Sequence, residues 1–147
     1  MPNKIIYYYQ TFCGLQDILN NKNPTTHIHL SAIHFGLDSN NEPYIHLNNY
    51  DPYSEIFNKV WEDLLKAKEK GIKILLMLGG AGGAYETLFS DFNTYYAKLN
   101  YLLKCKKDII SGIDLDIEET CSLDNVKDLI NQIDFDFGPN FTISMAP

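Results

Sequence analysis

Two rhythms of hydrophobic and polar positions alternate along this chain, short runs with a period near two and longer runs with a period near 3.6. Residues 4–10, Lys-Ile-Ile-Tyr-Tyr-Tyr-Gln, read as a strand, and Leu15, Ile18 and Leu19 mark a short helical turn over residues 14–20. A second strand covers residues 27–35. The cluster at residues 38–43 is a turn, after which residues 44–47 form an excursion strand and Asp51-Pro52 opens a helix. Over residues 53–70, Ile56, Val60, Leu64 and Ala67 recur at helical spacing with Phe57, Trp61 and Leu65 beside them, and Gly71 ends the helix. Residues 72–78 are apolar apart from Lys73 and run into Gly79-Gly80-Ala81-Gly82-Gly83. A helix over residues 91–106 carries Phe92, Tyr95, Tyr96, Leu99 and Leu103, and residues 109–118 form the next strand. Ser122 caps a helix through Val126, Leu129, Ile130 and Ile133 with Asp124 in its first turn, and residues 140–145 form the last strand. Because helical patterns follow most strands, a parallel sheet with helices on its outside is expected.

One strand breaks the apolar rule of such a sheet. In residues 111–118, Ser-Gly-Ile-Asp-Leu-Asp-Ile-Glu, the acids Asp114, Asp116 and Glu118 alternate with Ile113, Leu115 and Ile117. Strand side chains alternate between faces, so the carboxylates line one face and the aliphatic residues pack on the other. Crowded carboxylates do not all ionise cheaply, and at least one is expected to hold its proton near neutral pH, as a general acid must. Alternation alone fits an antiparallel strand with one wet face equally well. A hard-cation site is a third reading, opposed by the spacing: alternate strand residues lie roughly 7 Å apart, too far for all three to grip one ion.

Composition narrows the function classes. The chain has 147 residues, 45% of them hydrophobic, enough for one domain with a real core. Its net charge is -7 and its 12 basic residues are all lysine, which argues against a nucleic-acid partner because no arginine is present to grip phosphate. No stretch approaches the ~20 apolar residues of a membrane span, and Met1-Pro2-Asn3-Lys4 leads straight into a strand; neither a membrane partner nor a signal peptide is expected, and the cytoplasm is the expected location. Cys13, Cys105 and Cys121 have no CxxC spacing and read as free thiols in a reducing compartment, so the sequon at Asn140 is discounted. The glycine run lacks a third glycine at Tyr85 for a dinucleotide fingerprint, Asp136-Phe137-Gly138 stands without the rest of a kinase, and His27 and His29 read as strand histidines before metal ligands. Neither a cofactor nor a metal is expected.

Taken in order, these segments resemble the glycoside hydrolases of family 18, most of all the hevamine-type plant chitinases. Residues 111–118 match the family's Asp-Gly-x-Asp-x-Asp-x-Glu except at Ser111. Residues 73–80, Lys-Ile-Leu-Leu-Met-Leu-Gly-Gly, are similar to the third-strand pattern ending Ser-x-Gly-Gly, with Met77 in the place of serine. Residues 6–10 resemble the opening strand, and the segment from Phe141 to Pro147 resembles the fifth, which often ends in Ala-Pro.

The resemblance implies an α/β TIM (β/α)₈ barrel, of which residues 1–147 supply about the first five β/α units as the N-terminal part of a catalytic domain, since a whole barrel takes about 250 residues. It also implies substrate-assisted, retaining hydrolysis of β-1,4-linked N-acetylglucosamine in chitin or its oligosaccharides. Glu118 would protonate the glycosidic oxygen, Asp116 would orient the acetamido group that attacks the anomeric carbon, and Asp114 would exchange a proton with Asp116. Tyr7 would hydrogen-bond this inner pair, and Tyr7, Gly79, Gly80 and Met145 would contact substrate. With Met77 unable to donate, Asp114 is expected to be harder to ionise than beside a serine. The family's acetamido-gripping tyrosine and sugar-floor tryptophan belong to later strands. A catalytically impaired chitin- or glycan-binding protein is the alternative, and self-association through open sheet edges is expected of these residues alone.

Overall fold

The computed structural model describes residues 2–20 and 22–146. The chain runs through β1 (Ile6–Tyr9), α1 (Gln16–Asn20), β2 (His27–Leu37), β3 (Pro43–Leu47), a 3₁₀ turn (Glu55–Phe57) that continues into α2 (Asn58–Glu69), β4 (Lys73–Gly79), α3 (Tyr85–Ser90), α4 (Phe92–Cys105), β5 (Gly112–Asp116), α5 (Leu123–Phe137) and β6 (Thr142–Met145). Among the described residues, β1, β2, β4, β5 and β6 lie in that order in one sheet, every neighbouring pair parallel. The hairpin strand β3 pairs antiparallel with the distal half of β2, from Ile33↔Leu47 to Leu37↔Pro43. β1 and β6 form the two edges, so the sheet is not closed into a barrel.

The register sorts side chains onto two faces. Leu30, Leu76, Ile113 and Ile143 stand abreast across four strands, and with Ile28, Ile74, Leu78 and Leu115 they pack against Leu64, Ala67, Leu99, Leu102, Leu129 and Ile133 of the helices. Ile28, Leu30, Ile74, Leu76, Leu78, Ile113 and Leu115 are fully buried, and each contributes about 1.5–3 kcal/mol of transfer free energy. The opposite, concave face carries Tyr8 beside His29 and Met77 beside Asp114 beside Ser144.

Most boundaries shift by a residue or two from the sequence reading, and three differences are larger. The acidic strand is shorter than residues 109–118, because the Ile109 and Ile110 amides donate back to the Lys106 carbonyl in a turn that follows α4, while Glu118 lies past the strand end. The helix read over residues 53–70 begins as a 3₁₀ turn capped by Ser54, whose Oγ accepts the Ile56 amide. α3 is an added element, separated from α4 at Asp91, whose side chain caps α4 by accepting the Thr94 amide. Ser122 caps α5 as expected, accepting the Asn125 amide.

Candidate active site

The acidic strand occupies the middle of the sheet, and its neighbours decide what each carboxylate meets. Asp114 is 1% exposed and sits at the foot of the concave face. Ser144 Oγ of β6 donates to its Oδ1 at 2.5 Å and the Tyr8 hydroxyl of β1 donates to its Oδ2 at 3.2 Å. His29 Nδ1 of β2 lies 3.2 Å from the same Oδ2, with its ring edge-on to Tyr8. Burial alone would raise the Asp114 pKa, but the contacts from His29, Ser144 and Tyr8 outweigh it and hold the carboxyl below the usual range. The Tyr8 hydroxyl is pushed up to about 12 by burial and by the Asp114 charge, so it stays a donor at neutral pH.

Two residues along, the environment reverses. Asp116 is half-buried at the end of β5, and its pKa is raised, first by burial and then by Glu118 and Asp114. Glu118 is exposed beyond it. Both line a groove of about 540 Å³ shared with Tyr8, Ser31, Met77 and Gly80; Asp114 does not reach it. A larger cleft, about 650 Å³, lies between the β3 hairpin and α4, lined by Tyr44, Tyr53 and Tyr101, and contains none of these carboxylates.

The glycine turn forms one wall. Gly79 and Gly80 have φ of 100° and 90°, in the left-handed region that favours glycine. A Cβ on Gly79 would strike the Asp116 carbonyl oxygen, and the Gly80 amide donates to that same oxygen at 2.9 Å. Absence of side chains here lets the turn lie against the end of the acidic strand.

Several expectations need correction. The hydrogen bond to Asp114 comes from Tyr8, not Tyr7. Tyr7 pairs in register with Ile28, stacks on Tyr9 and packs against the outer core, so it faces away from the carboxylates. Met145 pairs with Leu115 and so shares the helix-facing side, while Ser144 and Ala146 turn to the concave side, where Ser144 bonds Asp114 and Ala146 lines the groove. Asp114 is held below the usual carboxylate range: Met77 stands beside it in register, and three other strands supply the contacts. Asp114, Asp116 and Glu118 do share one side of β5 and its extension, and Gly79 and Gly80 do line the groove. Pro147, the end of the fifth-strand resemblance, lies outside the described residues.

Sequence reasoning missed Tyr8, Ser144 and Glu119, and it gave His29 no role at the site. For His29 the signal was present, since a histidine alternating with apolar residues in a parallel strand has to face something polar. For Tyr8 there was none: three tyrosines in succession offer no phase.

No family model matches the chain. It is 30% identical over 109 residues to Chitinase 2 of Rhizopus oligosporus, covering 67% of this chain and 20% of that protein. Its fold is similar to that of a chitinase from Aspergillus fumigatus, with a TM-score of 0.89 and 32% identity over 99% of this chain and 55% of that one. A fungal endo-β-N-acetylglucosaminidase of glycosyl hydrolase family 18 superposes with a TM-score of 0.84 and 26% identity, over 99% of this chain and 54% of that one. The chain resembles the family 18 glycoside hydrolases in sequence and in fold. It spans about half the length of these solved relatives and about a fifth of the curated one. The family 18 likeness covers every strand described above, including the open edges at β1 and β6, where the described residues stop short of a closed ring.

The described residues contain no helix long and apolar enough to cross a membrane and no cluster of three or more histidine, cysteine or acidic residues that could hold a metal. Cys13, Cys105 and Cys121 are free.

Proposed function

We propose that these residues form the N-terminal part of the catalytic domain of a (β/α)₈ glycoside hydrolase that cleaves β-1,4-linked N-acetylglucosamine, in chitin or its oligosaccharides, with retention of configuration. The observation that carries the reading is the opposite treatment of two carboxyls on one strand, Asp114 held ionised and Asp116 raised, beneath an exposed Glu118. Substrate-assisted hydrolysis uses such a division of labour. Glu118 protonates the leaving glycosidic oxygen. The acetamido carbonyl of the sugar attacks the anomeric carbon and closes an oxazolinium ring, and Asp116 accepts a hydrogen bond from the acetamido N–H as positive charge develops. Asp114, ionised at rest, accepts the Asp116 proton as charge develops and returns it when the ring opens. Water then opens the ring with Glu118 as base, restoring the starting state.

The complete protein carrying Glu118→Gln tests this. The substitution keeps shape and removes the transferable proton, so hydrolysis of a chromogenic N-acetylglucosamine oligomer should fall roughly 10²- to 10⁴-fold while oligomer binding persists. Retained turnover would assign the acid elsewhere, and a wild type that binds without turnover would establish the glycan-binding alternative. The edges suggest a second test. Ile5, Ile6 and Tyr8 at β1 and Met145 at β6 are between 42% and 54% exposed. Residues 1–147 expressed alone should therefore elute as oligomers without hydrolytic activity, and an active monomer would overturn the need for further strands.

A further inference from the structure

Glu119 immediately follows the candidate acid, and its side chain leaves the groove in another direction. Oε1 accepts the backbone N–H of Ala84 at 2.5 Å and of Tyr85 at 2.7 Å, and Oε2 accepts that of Glu86 at 3.0 Å. These amides open α3, directly after the glycine turn. The residue in the capping position, Ala84, has no side-chain cap to offer, so the cap arrives from far along the chain. The same turn is tied to the same segment a second time, where the Gly80 amide meets the Asp116 carbonyl at 2.9 Å. One tie precedes Glu118 and the other follows it. Glu118 is thus the middle of a short span whose two sides are both fastened to the turn that walls the groove.

Resting on the functional reading above, we propose that Glu119 is a positioning residue, which sets the Glu118 carboxyl and the glycine wall relative to each other. A six-residue helix has little stability of its own, so a cap of three charge-assisted hydrogen bonds is out of proportion to the helix it closes. It is in proportion to the task of holding two loops in register. Burial would raise the Glu119 pKa, but the amides of Tyr85, Glu86 and Ala84 outweigh it and keep the carboxyl ionised. The packing agrees: a Cβ on Gly83 would lie 3.4 Å from Glu119 Oε1, so the carboxylate lies close to the turn. A Cβ on Gly82 would fall 2.8 Å from His34 Nε2, so the turn also lies close against β2.

The test compares Glu119→Ala and Glu119→Gln in the complete protein. With a chromogenic N-acetylglucosamine oligomer, Glu119→Ala should lower kcat roughly 10- to 100-fold with little change in KM, the scale of a small misplacement of reacting groups. Glu119→Gln, which keeps an acceptor, should recover part of that loss. Amide exchange at Ala84, Tyr85 and Glu86 should accelerate in Glu119→Ala while the β4 amides stay protected. Unchanged kcat alongside faster exchange would overturn the proposal and reduce Glu119 to a helix cap. If Glu119→Ala does not fold, Glu119→Gln decides by the same kcat criterion. Should the wild type bind oligomers without hydrolysing them, the functional reading fails alone, and the proposal then stands or falls on whether Glu119→Ala weakens that binding. A wild type that neither hydrolyses nor binds overturns both.

Discussion

The foot and the rim of the concave face shift chemically identical groups in opposite directions. Asp114 and Asp116 are both aspartates on one side of one strand, two residues apart. At the foot, three strands besides β5 converge on Asp114, each with a donor or a histidine, and the carboxyl is buried yet ionised. At the rim the flanking strands have ended or turned aside, Asp116 has another acid for its neighbour, and its pKa is raised. Burial opposes the charge in both places. Hydrogen-bond donors overcome it at the foot, and their absence leaves it unopposed at the rim, so the number of donors separates the two carboxyls.

The comparison can be broken most forcefully at the foot. Asp114→Ala leaves Ser144, Tyr8 and His29 facing a vacated buried site, and it should destabilise the complete protein by about 3–5 kcal/mol in urea unfolding. A loss under about 1 kcal/mol would mean that the foot is not an anchor.

A milder cut removes one donor. Ser144→Ala should cost about 1.5–3 kcal/mol at neutral pH, the range for a hydrogen bond to a charged group. Its pH dependence follows from the depressed pKa of Asp114. The stabilisation is fully present above the unfolded aspartate value, about 3.9, and is lost as pH falls through the lower folded value, so mutant and wild type should converge in strong acid. Asp116 has the opposite sign. Its raised pKa makes ionisation cost stability, so acidification through the folded value should recover stability, and Asp116→Asn should flatten that part of the wild-type curve. A Ser144→Ala penalty that does not change with pH would show that the hydroxyl bonds something other than a titrating carboxylate.

The smallest effect sharpens the assignment of faces. Tyr8→Phe should cost about 1 kcal/mol by deleting a donor to Asp114, and Tyr7→Phe should stay within about 0.5 kcal/mol because its hydroxyl serves no carboxylate. The reverse order would restore the phase first read for β1.

How far the site could be read from sequence depended on whether a segment carried its own phase. In residues 112–118 the acids and aliphatics alternate strictly, so face and neighbours followed from pleat geometry. In residues 5–9, Ile-Ile-Tyr-Tyr-Tyr, every side chain is large and apolar or aromatic, and a slip of one residue changes nothing in the pattern while it moves the hydrogen bond from Tyr7 to Tyr8. The Ser144 contact was hidden for another reason. Met77, the register neighbour on one side, offers no donor, and Ser144 reaches Asp114 from thirty positions away on the other flanking strand. α3 was missed because six residues with no polar cap of their own carry no start signal, the cap being Glu119.

The order of the strands and longer helices, the central acidic strand and the bend at Gly79 and Gly80 were determined by the sequence alone, because each rests on local preferences: side-chain period, capping and the left-handed conformations open to glycine. Which carboxyl is easier to ionise was decided only by the tertiary structure. The pKa of Asp114 depends on Tyr8, His29 and Ser144, which come from three strands spread over most of the chain and meet only when the sheet assembles in register. Electrostatic neighbours act through space, and Asp114 and Asp116, so alike in sequence, differ in what space brings to them.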